Sequence, residues 1–240
     1  MLKIKKVSII FALILTITGC QEPSIHSVPA NEHNQENNSL ILDSVVVIFK
    51  EIEVVKFLEI ADDTEIGEVI HTEEVNNTEI KIYRAGSDKD ILKASIFIGQ
   101  SSYNIGEIGY GNIENFKIEV VDVLDSTYIK FSGATGANSP VAYYILPDLE
   151  APLVLHIDGH TVEADVNQDG VIDIISTVGT AANTTVYTLL NKKVMASNLN
   201  EITNAQVVLY DPKTNHFQIQ TSNNKLTEWR FQANKLQSVR

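Results

Sequence analysis

An all-β, antiparallel fold is what this sequence predicts, and three features carry the expectation. From Leu40 onward, short apolar runs rich in Val, Ile, Tyr and Phe recur along the chain, several of them alternating with polar residues as half-buried strands do. Turn chemistry falls between the runs, at Asp125-Ser126, Asp158-Gly159, Asp211-Pro212 and Ser222-Asn223-Asn224. Only two short stretches carry any helical stripe.

Taken in order, residues 45–49 are β-branched and continuous, as in a strand buried on both faces. Residues 51–61 place Ile52, Val54, Val55, Phe57, Leu58 and Ile60 where either a helix or a strand would bury them, and their β-branched content favours the strand. Residues 79–83 and 116–120 alternate cleanly, and 94–98, 128–131, 141–146 and 153–157 are further strands. Residues 185–190, 206–210, 217–220 and 228–231 complete the set. Asp158-Gly159 signals a two-residue hairpin, which would pair Ile157 with His160 and His156 with Thr161 and send the two imidazoles to opposite faces. Residues 197–203 fit one helical turn capped by Ser197.

The first 39 residues are of a different kind. Lys3, Lys5 and Lys6 precede an apolar run from Val7 to about Thr18, too short for a bilayer-spanning helix of about 20 residues. The run ends at Ile17-Thr18-Gly19-Cys20, and Cys20 is the only cysteine. These four residues resemble the lipobox of bacterial lipoproteins, which implies removal of residues 1–19 as a signal peptide and lipidation of Cys20. The expected location is the extracytoplasmic face of the cell membrane, with the lipid on Cys20 as the membrane contact. Residues 20–39 are rich in Gln, Glu, Asn, Ser and Pro, a composition that reads as a disordered tether. Residues 40–240 then form the β-rich extracytoplasmic domain.

Charge and cysteine usage narrow the classes of function. Loss of Lys3, Lys5 and Lys6 with the leader takes the formal charge from -13 to -16, which disfavours nucleic acid and anionic lipid headgroups as partners and favours cations. With Cys20 lipidated, no disulfide is available, and a mature length of about 220 residues suffices for a self-supporting core.

The strongest chemical signal is Asp165-Val166-Asn167-Gln168-Asp169-Gly170-Val171-Ile172-Asp173, or D-x-N-x-D-G-x-x-D. Alternate side chains of a tight loop converge on one point, as a hard cation with six to eight oxygen ligands requires. Asp165, Asn167 and Asp169 occupy positions 1, 3 and 5, Gly170 allows the sharp turn, the Val171 carbonyl stands at position 7 and Asp173 at position 9. Calcium is the expected ion. Position 12 is Ser176 where an EF-hand has glutamate, and Ile174 and Ile175 continue as a strand pattern. The alternative is an Asx-rich hairpin loop whose side chains bond their own backbone.

The loop with its flanking strands resembles the calcium loops of FG-GAP repeats, the blades of integrin-type β-propellers, over about residues 164–187. That resemblance implies Asp165, Asn167, Asp169, Asp173 and the Val171 carbonyl as ligands, and it tilts the fold towards a propeller-like meander over the β-sandwich that strand count and spacing also allow. The chain holds a single copy of the loop. Residues 103–109 and 133–137, with the loop, are similar to lipoproteins of Gram-positive, Bacillus-like bacteria, a likeness that implies no activity.

Other constellations read as structural. His156 and His160 lack a third nitrogen or sulfur ligand. Residues 133–140, Gly-Ala-Thr-Gly-Ala-Asn-Ser-Pro, lack the Lys-Ser/Thr of a phosphate loop and read as close backbone packing, with a ligand-facing loop as the alternative. Tyr103, Tyr110, Tyr128, Tyr143, Tyr144, Tyr187, Tyr210 and Trp229 read as half-buried sheet residues before a binding groove. No G-x-S-x-G, H-E-x-x-H or cysteine nucleophile occurs, so no catalytic residue is nominated. The expected function is a surface-anchored binding or interaction module with a protein or polysaccharide partner. A hydrolase acting on wall or other extracellular polymers is the first alternative, and an export folding or assembly factor the second.

Overall fold

The computed structural model describes residues 43–52, 56–57, 59–60, 66–84, 90–112, 114, 116–136, 139–147, 152–222 and 225–239. The expected signal peptide, residues 1–19, and the expected tether, residues 20–39 with Cys20, lie outside them. The described residues are all-β and antiparallel apart from one short helix, and the strands are arranged as successive meanders.

Four very short strands come first, β1 (Ser44–Val46), β2 (Lys50–Glu51), β3 (Lys56–Phe57) and β4 (Glu59–Ile60). Four meanders of four strands follow. The first contains β5 (Glu68–Val75), β6 (Thr78–Arg84), β7 (Ile91–Ile98) and β8 (Ser101–Tyr110). The second contains β9 (Lys117–Val123), β10 (Ser126–Ala134), β11 (Pro140–Leu146) and β12 (Leu153–Asp158). The third contains β13 (His160–Ala164), β14 (Asp173–Val178), β15 (Asn183–Leu190) and β16 (Lys193–Asn198). After the helix α1 (Leu199–Thr203), the fourth contains β17 (Val207–Asp211), β18 (His216–Gln220), β19 (Leu226–Gln232) and β20 (Lys235–Val239). Each meander gains a fifth strand from the N-terminal segment in reverse order: β1 pairs with β20, β2 with β16, β3 with β12 and β4 with β8. One strap thus edges all four sheets.

Turn residues explain the tight reversals. Asn76-Asn77, Leu124-Asp125 and Asn191-Lys192 all have positive φ at both positions, the backbone twist that two-residue hairpins need. The turn foreseen at Asp125-Ser126 is therefore centred one residue earlier, and its Leu124 is buried.

Three clusters of buried side chains join the sheets in chain order. Ile80, Leu92, Ile96 and Ile108 of the first sheet meet Ile129, Phe131, Ile145 and Val154 of the second. Tyr144, Leu155 and Ile157 of the second meet Ile174 of the third. Val166, Ile175 and Val186 of the third meet Val208, Phe217, Trp229, Phe231 and Leu236 of the fourth. No such cluster among the described residues joins the fourth sheet to the first. The pattern of burial along each strand follows from this placement. The second and third sheets are covered on both faces, so Tyr144-Ile145 and residues 173–176 are buried without alternation, whereas β19 at one end alternates.

Three local expectations are corrected. Residues 45–49 are not covered on both faces: Val47 is 4% exposed, but Val46 and Ile48 are 52% and 63% exposed, because the strap edges the sheets and buries a single face. Asp158-Gly159 is not a hairpin. β12 pairs with β11 and β13 with β14, so the chain passes from the second sheet into the third through one residue, Gly159, at φ 106°. Finally, α1 is capped by Asn198, whose side chain accepts from the Glu201 amide at 3.0 Å, and not by Ser197.

Candidate metal centre

The nine-residue acidic segment connects β13 to β14 and turns through two left-handed residues, Gln168 at φ 62° and Gly170 at φ 89°. Its inward turn is set by side chains bonding to the loop's own amides. Asp165 Oδ1 and Oδ2 accept from the amides of Asp169 (3.1 Å) and Gly170 (2.9 Å). Asn167 Oδ1 also accepts from the Asp169 amide (3.0 Å), Asp169 Oδ1 accepts from the Val171 amide (2.8 Å), and Asn167 Nδ2 donates to Asp169 Oδ2 (2.9 Å). Asp165, Asn167 and Asp169 are thereby gathered on the inside of one turn. Among the described residues, no three His, Cys, Asp or Glu side chains form a ready-made metal cluster.

These bonds are those an Asx-rich turn would make in any case. Asp173 is different. It is wholly buried at the start of β14, with Oδ2 accepting from the Val166 amide at 3.2 Å and Oδ1 left without a hydrogen-bond partner. Burial pushes its carboxyl up to about 6. The neighbouring Thr188 hydroxyl and the Val166 amide oppose the rise, while Asp169 and Asp165 add to it. A buried carboxylate oxygen that makes no hydrogen bond, beside a Thr188 hydroxyl that is also unpaired, is costly, and turn formation by the loop does not require it. The side chains of the loop offer oxygen donors alone, the type a hard cation takes, although its three carboxylates do not stand as one cluster.

Three sheets meet at this loop. The Leu124 amide of the second sheet donates to the Ile172 carbonyl at 2.9 Å. From the fourth sheet, Asn215 Nδ2 donates to the Asp165 carbonyl at 3.0 Å and Asn215 Oδ1 accepts from the Tyr210 hydroxyl at 2.9 Å. Beside the loop lies a cleft of about 290 Å³, lined by Asp122, Asp125, Ser126, Thr127, Gly170 and Val171 among others. Asn215 was not found by sequence reading, because it lies 50 residues from its partner and an Asn in a turn is ordinary.

The remaining nominated groups separate. His156 stacks on Tyr143 with ring centroids 4.5 Å apart, while His160 belongs to the next sheet. His160 borders a second cleft of about 210 Å³ with Gly136, Ser139 and Pro140. Gly133 is a close-packing glycine, since a Cβ there would run into the Ile108 carbonyl oxygen. Two amides of the adjoining loop are spent on its own closure, Thr135 to the Ser139 carbonyl and Ser139 to the Gly136 carbonyl. Tyr103, Tyr144 and Trp229 are buried and belong to three different core clusters, so they do not line a shared groove.

Tyr144 instead joins a polar group that the sequence did not reveal. Lys130, 5% exposed, donates from Nζ to Glu163 Oε1 at 2.6 Å, and the Tyr144 hydroxyl donates to the same oxygen at 2.5 Å. Burial pushes the Glu163 carboxyl up, but the bonds from Lys130 and Tyr144 together outweigh it and hold the group below its ordinary range. The group ties β10 and β11 of the second sheet to β13 of the third. It is a fastening between sheets, not a site open to a ligand.

Compared with models of known protein families, with curated proteins and with solved structures, the chain matches none.

Proposed function

We propose that this chain is a lipoprotein held by Cys20 at the extracytoplasmic face of the cell membrane, where its β-domain acts as a binding module stiffened by one calcium ion. The ligands are Asp165, Asn167, Asp169, the Val171 carbonyl and Asp173, as the FG-GAP resemblance implies. One observation carries the reading: Asp173 is wholly buried with an oxygen that makes no hydrogen bond, the Thr188 hydroxyl beside it being likewise unpaired, and a cation would satisfy that oxygen. The extracellular setting fits, because calcium is millimolar there and weak external sites with Kd of about 10⁻⁴–10⁻³ M suffice. The partner is a protein or polysaccharide reached from the membrane through the tether. Neither the hydrolase nor the folding-factor alternative has an observation of its own among the described residues.

Titration calorimetry and thermal denaturation of the soluble chain from residue 21 test this. At calcium a hundredfold above Kd the stabilisation is ~2.7 kcal/mol, or roughly 5–11 °C in melting temperature for a domain of this size. Asp169→Ala abolishes the shift. Asp173→Asn also abolishes it, but leaves the calcium-free protein as stable as before or more so, because the amide removes a buried charge, keeps an oxygen for the Val166 amide and can donate to the unpaired Thr188 hydroxyl oxygen. No heat and no shift at 10 mM calcium would refute the calcium reading.

A further inference from the structure

We infer that Asn215, from the neighbouring sheet, is a positioning residue for the calcium loop, so that cation affinity is set in part by the contact between the third and fourth sheets. The inference rests on the calcium reading above and extends it to a residue outside the D-x-N-x-D-G motif. Asn215 bonds at both ends of its amide, donating to the Asp165 carbonyl at 3.0 Å and accepting from the Tyr210 hydroxyl at 2.9 Å. The carbonyl it holds belongs to the first ligand of the loop, so the bond sets the peptide from which that side chain springs.

Asn215 is itself held in place. It occupies the left-handed region at φ 57°, a conformation asparagine tolerates, at the end of the turn joining β17 to β18. That turn is braced by Asp211, whose Oδ1 accepts from the Lys213 amide at 2.9 Å and whose Oδ2 accepts from the Thr214 hydroxyl at 3.2 Å. Tyr210 packs on Phe217 with ring centroids 5.1 Å apart, and Phe217 is buried in the cluster that also contains Val166 of the loop. The next residue after Asp165 is thus packed into the same contact that the Asn215 amide spans. Partners that orient metal ligands in this way typically alter affinity about 10–100-fold when removed.

Reciprocity follows. If the fourth sheet tightens the loop's hold on the ion, the ion tightens the loop's hold on the fourth sheet. Calcium would then act as a fastening between sheets and not as a local brace alone.

The test is calcium titration calorimetry on the wild-type soluble chain, Asn215→Ala, Asn215→Asp and Thr184→Val. Asn215→Ala raises Kd about tenfold or more. Asn215→Asp does the same, because an acceptor replaces the donor facing the Asp165 carbonyl. Thr184→Val is the control. The Thr184 hydroxyl also joins the two sheets, donating to the Val208 carbonyl at 2.5 Å, but away from the loop; its loss lowers the melting temperature and leaves Kd within twofold of wild type. Wild-type calcium binding with an unchanged Kd in both Asn215 variants overturns the inference while leaving the calcium reading intact. A Thr184→Val Kd raised as far as that of Asn215→Ala overturns it too, by tracing the effect to general loosening of the sheets. Absence of binding in the wild type overturns both.

Discussion

Replacing Lys130 with methionine tests how much of this fold depends on polar fastening between its sheets. Methionine keeps the unbranched length but removes the charge, so Glu163, with 24% side-chain exposure, keeps only the Tyr144 hydroxyl as a donor in this group. Breaking a buried pair from one side costs about 3–5 kcal/mol, and the residual access of water to Glu163 puts the cost near ~3 kcal/mol. That corresponds to a fall of roughly 6–12 °C in melting temperature for a domain of this size. The pH dependence has a definite sign. The folded Glu163 pKa lies below its unfolded value of about 4.3, so its contribution is complete above that value and is lost as pH falls through the folded one. The gap between wild type and Lys130→Met is therefore full at pH 7 and narrows below about pH 4. Urea denaturation at pH 7 and pH 3.5, followed by Trp229 fluorescence and far-ultraviolet circular dichroism, measures it. Lys130→Met combined with Glu163→Met exchanges the pair for apolar packing and recovers most of the loss. A single variant within about 0.5 kcal/mol of wild type, or a double variant worse than the single, would refute the assignment.

Two further outcomes test the architecture. Gly159→Ala forces a Cβ to 2.5 Å from Ser176 Oγ and 2.8 Å from the Thr177 carbonyl oxygen at φ 106°, and costs about 3 kcal/mol or more in urea denaturation. Gly179→Ala, with φ 70° and open space around the new methyl, isolates the conformational cost at about 1–2 kcal/mol; equal losses at both sites would contradict the close passage between sheets. On the strap, Val47→Ala costs ~2 kcal/mol through the contact between the third and fourth sheets. Ile48→Ala stays within about 0.5 kcal/mol, and a reversal of that order in melting temperature would contradict the one-faced burial of the strap.

The strands were legible because a sheet imposes a period of two on its residues, and residues 79–83 display it without help from distant parts of the chain. What sequence reading could not supply was which strands pair. Asp158-Gly159 has the composition of a hairpin turn, yet the glycine serves a close passage between two sheets, since Ser176, Thr177 and Val178 crowd it. Local chemistry cannot distinguish a glycine needed for a turn from one needed for lack of room. The strap misled for a related reason. Val45, Val47 and Phe49 pack into the core while Val46 and Ile48 remain exposed, so an unbroken apolar run mimicked a strand covered on both sides. The acidic loop was legible as spacing. Its link to Asn215 was not, because nothing within residues 165–173 encodes a partner one helix, one strand and a turn beyond the third sheet.

Stacked sheets without disulfides have a shared difficulty: apolar burial holds neighbouring faces together but does little to fix how one sheet sits on the next. Directional bonds can supply that, and each contact here has at least one. The Tyr143 hydroxyl donates to the Glu107 carbonyl at 2.8 Å between the second and first sheets, Glu163 takes Lys130 and Tyr144 between the second and third, and Thr184 and Asn215 reach across the third and fourth. Both contacts of the third sheet reach the loop of three carboxylates, the Leu124 amide at the Ile172 carbonyl and the Asn215 amide at the Asp165 carbonyl, whereas the contact between the first and second sheets does not. Those carboxylates repel one another without a counter-charge, so an external cation can change the strength of the contacts that touch the loop, the fourth sheet's among them, and not that of the first sheet with the second. On that reasoning, calcium removal should loosen the fourth sheet before the first. Hydrogen exchange in chelator should rise in β17 and β18 while β6 and β7 remain as protected as with calcium, and uniform deprotection of all four sheets would count against it.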